Sequence, residues 1–183
     1  MLLYRVFPHL PRAKPGEPGH PLYVHPLQGK GRWDNPALYL ARYLAASAEA
    51  AVGEAFANLS TWSPAMLTAP FPAGSVRRLG TYRIDETANP LLDLDDAQAL
   101  LDRHLRPTDI VVRNRPRTQS IAGAVFAEGH WAGISWWSYH RPQWTLLTLW
   151  STVHIADERV EDIDGHPALT DAAKVLAKHV DWR

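Results

Sequence analysis

The 183-residue chain has no cysteine, only two methionines and no surplus of charge of either sign. Without cysteine there are no disulfides, thiolate nucleophiles, iron–sulfur clusters or cysteine-bound zinc, so its chemistry must come from carboxylates, hydroxyls, histidines and arginines. Nineteen basic side chains balance nineteen acidic ones. No net field therefore draws the chain to nucleic acid or to an anionic membrane, and an anionic ligand has to be gripped locally. No apolar run approaches the roughly 18 residues that span a bilayer, and the opening Met1-Leu2-Leu3-Tyr4 is cut by Arg5 and too short for a signal peptide. A soluble, cytoplasmic protein is expected, with no direct nucleic-acid binding. None of the nine histidines forms a ligand pair at helical spacing, so no metal is expected. Gly-x-Gly-x-x-Gly is missing too, which disfavours a Rossmann domain.

What is present suits one compact domain over 1–183, with 46% hydrophobic residues burying roughly two thirds of the surface of the unfolded chain. β-Favouring residues at 2–7, closed by Pro8, predict a strand whose alternate side chains, Arg5 among them, can face a cavity. Proline and glycine crowd residues 8–31, which excludes a regular element and marks a lid, a binding loop or a surface loop. The apolar run 37–46 reads as a strand and its exit. Ser47 offers an N-cap, and Ala48, Ala51, Val52, Ala55, Phe56 and Leu59 then form one helical stripe, predicting a helix over 47–59 that packs on a sheet. Further on, the patterns predict a strand at 76–84, a helix at 95–105 stopped near Pro107 and a short strand at 110–112. A helix at 118–128 ended by Gly129 follows, then strands at 132–138 and 145–150, and a closing helix at 170–180 behind a Thr cap. Short strands interleaved irregularly with helices indicate an α+β fold.

Several residues stand out as candidates for chemistry. Glu54 lies beside the buried stripe of its helix, with small neighbours at Ala50, Gly53 and Ala57 that leave room for a ligand. A mid-helix glycine costs about 0.5–1 kcal/mol relative to alanine and is usually kept for close approach. The same facts fit a boundary glutamate beside a packing glycine. Gly29-Lys30-Gly31-Arg32-Trp33 sets a guanidinium on a loop, an arrangement suited to a two-pronged phosphate clamp. Ser138 ends a strand without a Gly-x-Ser-x-Gly elbow, so a hydrogen-bonding role is favoured over a nucleophilic one. Five of the eight tryptophans fall between Trp131 and Trp150; most are expected in the core, although a stacking platform is the other use of such a run.

Taken in order, Tyr4-Arg5, Gly31-Arg32-Trp33, Tyr43-Leu44-Ala45, Glu54, Thr118-Gln119-Ser120-Ile121-Ala122 and Gly133-Ile134 through Ser138 resemble the blocks of the RES-domain family. The resemblance covers about residues 2–150 and leaves 151–183 as a C-terminal strand and helix extension. It implies an ADP-ribosyltransferase-like fold and a bacterial toxin that splits the nicotinamide–ribose bond of NAD, by phosphorolysis or hydrolysis, so that NAD is a substrate and no cofactor is needed. It further implies that Arg5 and Arg32 hold the pyrophosphate or ribose side of NAD, with Thr118 and Gln119 also on the substrate. Tyr43 would stack on nicotinamide, Glu54 would stabilise the ribosyl cation, and Ser138 would be a polar contact near the nicotinamide ribose. Glu54, Arg32 and Ser138 are the implied catalytic set. The implied partner is an antitoxin with a helix-turn-helix DNA-binding domain, and a homodimer is compatible with the family. The departures lie in the bulky Trp136-Trp137-Ser138-Tyr139-His140-Arg141 stretch and in Val6 after Arg5. Transfer of ADP-ribose to a protein is the alternative activity, and a non-catalytic binding module the alternative class.

Overall fold

The computed structural model describes residues 1–182. The chain divides into two compact units, each assembled from separated stretches: one from Met1, Val24–Leu44 and Ile84–His154, the other from Leu2–Tyr23, Ala45–Arg83 and the residues from Ile155 onward.

The second of these units opens with β1 (Leu2–His9). In chain order there follow β2 (Ala41–Ala45), whose last residue alone belongs to this unit, and α1 (Ala48–Phe56), then β3 (Thr61–Trp62) and β4 (Val76–Arg83). β1 pairs antiparallel with β4 along its whole length, from Leu2 opposite Arg83 to His9 opposite Val76, and Ala45 stands opposite Tyr4. Helix α1 begins where the sequence places it: the Ser47 hydroxyl accepts from the Ala50 amide at 3.1 Å, satisfying one of the amides that a helix start leaves bare. It ends at Phe56, short of residue 59, and the fully buried Trp62 closes that end by donating from Nε1 to the Phe56 carbonyl at 3.1 Å.

The remaining elements of the chain are β5 (Leu91–Asp93), α2 (Ala97–Asp102), α3 (Pro107–Val111) and α4 (Arg115–Ala127), then β6 (Gly133–Trp137), β7 (Thr145–Trp150), β8 (Asp157–Glu161), α5 (Pro167–Val175) and β9 (His179–Val180). β8 extends the second unit's strands by pairing antiparallel with β4, and β9 runs parallel to β3. Helix α5 packs its buried Ala168, Leu169, Ala172 and Ala173 toward α1. The helix expected at 170–180 thus starts earlier, because Pro167 needs no amide partner at a first helical position and His166 Nδ1 accepts from the Ala168 amide. It stops at Val175, and Ala177, with φ of +50°, turns the chain into β9.

In the other unit β5 runs parallel to β6, and β6 antiparallel to β7, from Gly133 opposite Leu149 to Trp137 opposite Thr145; β2 lies beyond β7. The expected strand at 110–112 is instead the end of α3. Pro107 sets the first helical φ, Asp109 reaches back to accept from the Arg106 amide at 2.9 Å, and Ile110 is fully buried on a helical turn. Helix α4 starts at Arg115 rather than 118, because Asn114 caps it by accepting from the Arg117 amide, and Gly129, at φ of +76°, ends it. Trp33, Trp136, Trp144 and Trp150 are buried, with Trp150 against Tyr39 and Phe126. Core packing therefore accounts for most of the tryptophans. The chain between β1 and β2 has no helix or paired strand of its own, as its prolines and glycines dictate. No helix among the described residues is long and apolar enough to cross a membrane.

Candidate functional site

The segment Gly29 to Asp34 is wrapped around one buried carboxylate. Asp34 Oδ2 accepts from the amides of Gly29 at 2.8 Å and Gly31 at 2.6 Å, and its Oδ1 accepts from the Tyr43 hydroxyl at 2.7 Å. That hydroxyl in turn accepts from the Trp33 amide at 2.9 Å. A carboxylate taken out of water is tolerated only when it is hydrogen-bonded, and here three donors reach its two oxygens. Burial, reinforced by the Asp34 hydrogen bond and charge, pushes the Tyr43 phenol well above its ordinary pKa. Tyr43 therefore remains a neutral donor to Asp34.

Helix α4 holds the same loop from another side. Gln119 Nε2 donates to the carbonyls of Gly29 at 3.0 Å and Gly31 at 2.9 Å, and the fully buried Thr118 donates to the carbonyl of Arg32 at 2.6 Å. Asn35 donates to the Gln119 carbonyl at 2.8 Å, while Tyr39 donates to the Trp33 carbonyl at 2.7 Å. The ring of Trp33 meets Trp136 edge-on at 5.4 Å, and Tyr43 meets the same indole at 6.4 Å. Arg32 leaves this frame with Nη1 donating to the carbonyls of Ile110 at 2.6 Å and Val112 at 2.7 Å, at the carbonyl end of α3, where the helix dipole is negative.

The structure thus brings Arg32, Tyr43, Thr118 and Gln119 together. The side-chain donors of Thr118 and Gln119 are engaged by loop carbonyls, as Arg32 Nη1 is by those of Ile110 and Val112. Ser138 is fully buried in this same unit just past β6, and its oxygen accepts from the amides of His140 at 3.0 Å and Arg141 at 3.1 Å. Those two bonds hold the turn that follows β6.

Arg5 and Glu54 belong to the other unit. Arg5 stands on β1 and donates from Nη1 to the Tyr23 carbonyl at 3.1 Å; burial lowers its pKa and the Tyr82 phenol opposes that shift. Glu54 is half-buried on α1, which packs against β1 and α5. Its small neighbours Ala50, Gly53 and Ala57 are all buried.

Sequence reasoning passed over Asp34, Asn35 and Tyr39. The available signal was Asp34 three residues after a glycine in a proline-rich loop, where a carboxylate commonly gathers nearby amides. Gly31 carries a sharper consequence, because a Cβ there would collide with Asp34 Oδ1 and the Tyr43 hydroxyl. Gly31→Ala is expected to destabilise the protein by about 1–3 kcal/mol, lowering the melting temperature by roughly 2–4 °C for each of them. An unchanged thermal midpoint would show that the loop reorganises at no cost.

Comparison with known proteins adds two findings. The family model of the RES domain matches residues 2–171, past the limit of about 150 read from the sequence. A chain of the crystal structure of the M. tuberculosis MbcT–MbcA toxin–antitoxin complex superposes with a TM-score of 0.57 and 19% identity, covering 97% of this chain and 89% of that one. At that identity the likeness speaks for the fold, which is α+β. No curated protein sequence matches.

Proposed function

The chain belongs to the RES-domain family, and from that premise we propose that it is the toxin of a toxin–antitoxin pair and that it splits the nicotinamide–ribose bond of NAD. The observation that carries this reading is the family match over residues 2–171, a span that includes Arg5, Arg32, Tyr43 and Glu54. The complex from which the similar fold comes supports an antitoxin as the partner, and we assign that partner a helix-turn-helix DNA-binding domain.

The chemistry is governed by where charge develops. Nicotinamide leaves as a neutral ring, so the positive charge of NAD passes to the ribose as an oxocarbenium ion, and a carboxylate aimed at it lowers the barrier. Glu54 supplies that carboxylate. Arg5 and Arg32 hold the pyrophosphate and ribose side, and the ring of Tyr43 stacks on nicotinamide. Ser138 steadies the ribose through its turn. Phosphate or water then bonds to the anomeric carbon, giving ADP-ribose 1-phosphate or ADP-ribose. Incubating the protein with NAD, with and without phosphate, distinguishes these products by mass; a protein acceptor gaining the mass of ADP-ribose identifies transfer instead. Absence of nicotinamide release under all three conditions refutes the enzymatic reading.

Arg32→Lys is expected to reduce kcat/KM for nicotinamide release by about 10-fold or more, since lysine keeps the charge but not the planar fork that grips an anion at two points. Wild-type kinetics in that variant would remove Arg32 from the substrate site.

A further inference from the structure

The amides of both residues that neighbour Arg32 are tied to one charge. The amide before it, that of Gly31, donates to Asp34 Oδ2; the amide after it, that of Trp33, donates to the Tyr43 hydroxyl, which itself donates to Asp34 Oδ1. The direction of this relay is forced. A carboxylate only accepts, so the phenol must give its proton to Asp34 and can only accept from Trp33. Asp34 is 5% exposed, and hydrogen bonds to a buried carboxylate are about twice as strong as neutral ones.

We propose that Asp34 and Tyr43 form a positioning pair that fixes the backbone on either side of Arg32 before substrate arrives, so that the guanidinium is presented already oriented. The proposal rests on the reading of Arg32 as an NAD contact. Asp34 touches no substrate in it; it acts through Arg32. The phenol of Tyr43 has a job separate from its ring, because stacking needs only the ring whereas the relay needs the hydroxyl.

Two nearly isosteric substitutions isolate the pair. In Asp34→Asn the new amide presents a carbonyl to one side and N–H donors to the other. It therefore faces either the phenol or the two glycine amides with the wrong polarity. Tyr43→Phe keeps the ring and removes the relay. Displacing a substrate-holding group by about 1 Å costs on the order of 100-fold in rate, so each variant is expected to lose about 10- to 100-fold in kcat/KM for nicotinamide release. In an Arg32→Ala background the same changes are expected to cost less than about twofold more, since residues acting through one group are not additive. Losses that multiply in that background, or wild-type kinetics in Asp34→Asn and Tyr43→Phe, overturn the proposal.

Hydrogen exchange supplies a readout independent of catalysis. The amides of Gly31 and Trp33 are expected to exchange faster in Asp34→Asn, with those of α4 and β6 unchanged, and unaltered exchange at 31 and 33 also overturns it. A wild-type protein that releases no nicotinamide defeats the NAD reading, whereas the exchange rates then judge the hold of Asp34 and Tyr43 on the loop by themselves.

Discussion

Glu54→Gln is expected to abolish most nicotinamide release while leaving the protein folded. Removing one preorganised electrostatic contact to a transition state costs about 10²–10³ in rate, roughly 3–4 kcal/mol. Glutamine keeps the shape of the side chain at a half-buried position beside the packed face of α1, formed by Ala50, Ala51, Val52, Gly53 and Phe56. The folding free energy should therefore change by less than about 1 kcal/mol, and the melting temperature by no more than roughly 2–4 °C. The assay pairs nicotinamide release with a thermal denaturation curve. Full activity with a lowered midpoint would make Glu54 a structural residue and leave the reaction without its carboxylate.

The largest loss of stability is expected at Gly133, the first residue of β6. A Cβ there would run into the carbonyl of Thr148 and the Cα of Leu149 on the neighbouring strand, both of them backbone atoms that no rotamer change can move aside. Gly133→Ala must therefore push the backbones of β6 and β7 apart where Gly133 faces Leu149. It should cost about 3 kcal/mol or more, lowering the melting temperature by roughly 6–12 °C. Gly123, inside α4, provides the contrast, since an added Cβ there would meet Leu38 at 3.7 Å and Asn35 at 3.9 Å, ordinary contact distances. Gly123→Ala should stabilise by about 0.5–1 kcal/mol, because alanine loses less backbone entropy in a helix. Equal melting temperatures for the two variants would contradict the packing described for both sites.

Some local signals in the sequence match the structure. Ser47 capped its helix, Gly129 ended another, and β1 and β4 followed their β-favouring residues. The short strands β5 and β8 were not legible. Leu91–Asp93 is too short for periodicity, and Asp157–Glu161, with sequence Asp-Glu-Arg-Val-Glu, carries the charges of a strand paired on one side only. Residues 110–112 misled because Ile-Val-Val is β-favouring by composition, while Pro107 and Asp109 upstream had already committed the chain to a helix. The support given by Thr118 and Gln119 to the loop at 29–32 joins residues more than 80 positions apart in sequence, a relation that no short window contains.

The interrupted make-up of the two units bears on how the protein comes into being. Arg5 and Glu54 are synthesised before β8 and α5, which complete their unit by pairing with β4 and packing on α1. The loop around Arg32 likewise waits for α4. Such long-range closure is slow because chain entropy is lost before the contacts that repay it can form. A polypeptide that stops before β8 and α5 therefore leaves β4 and α1 without these partners.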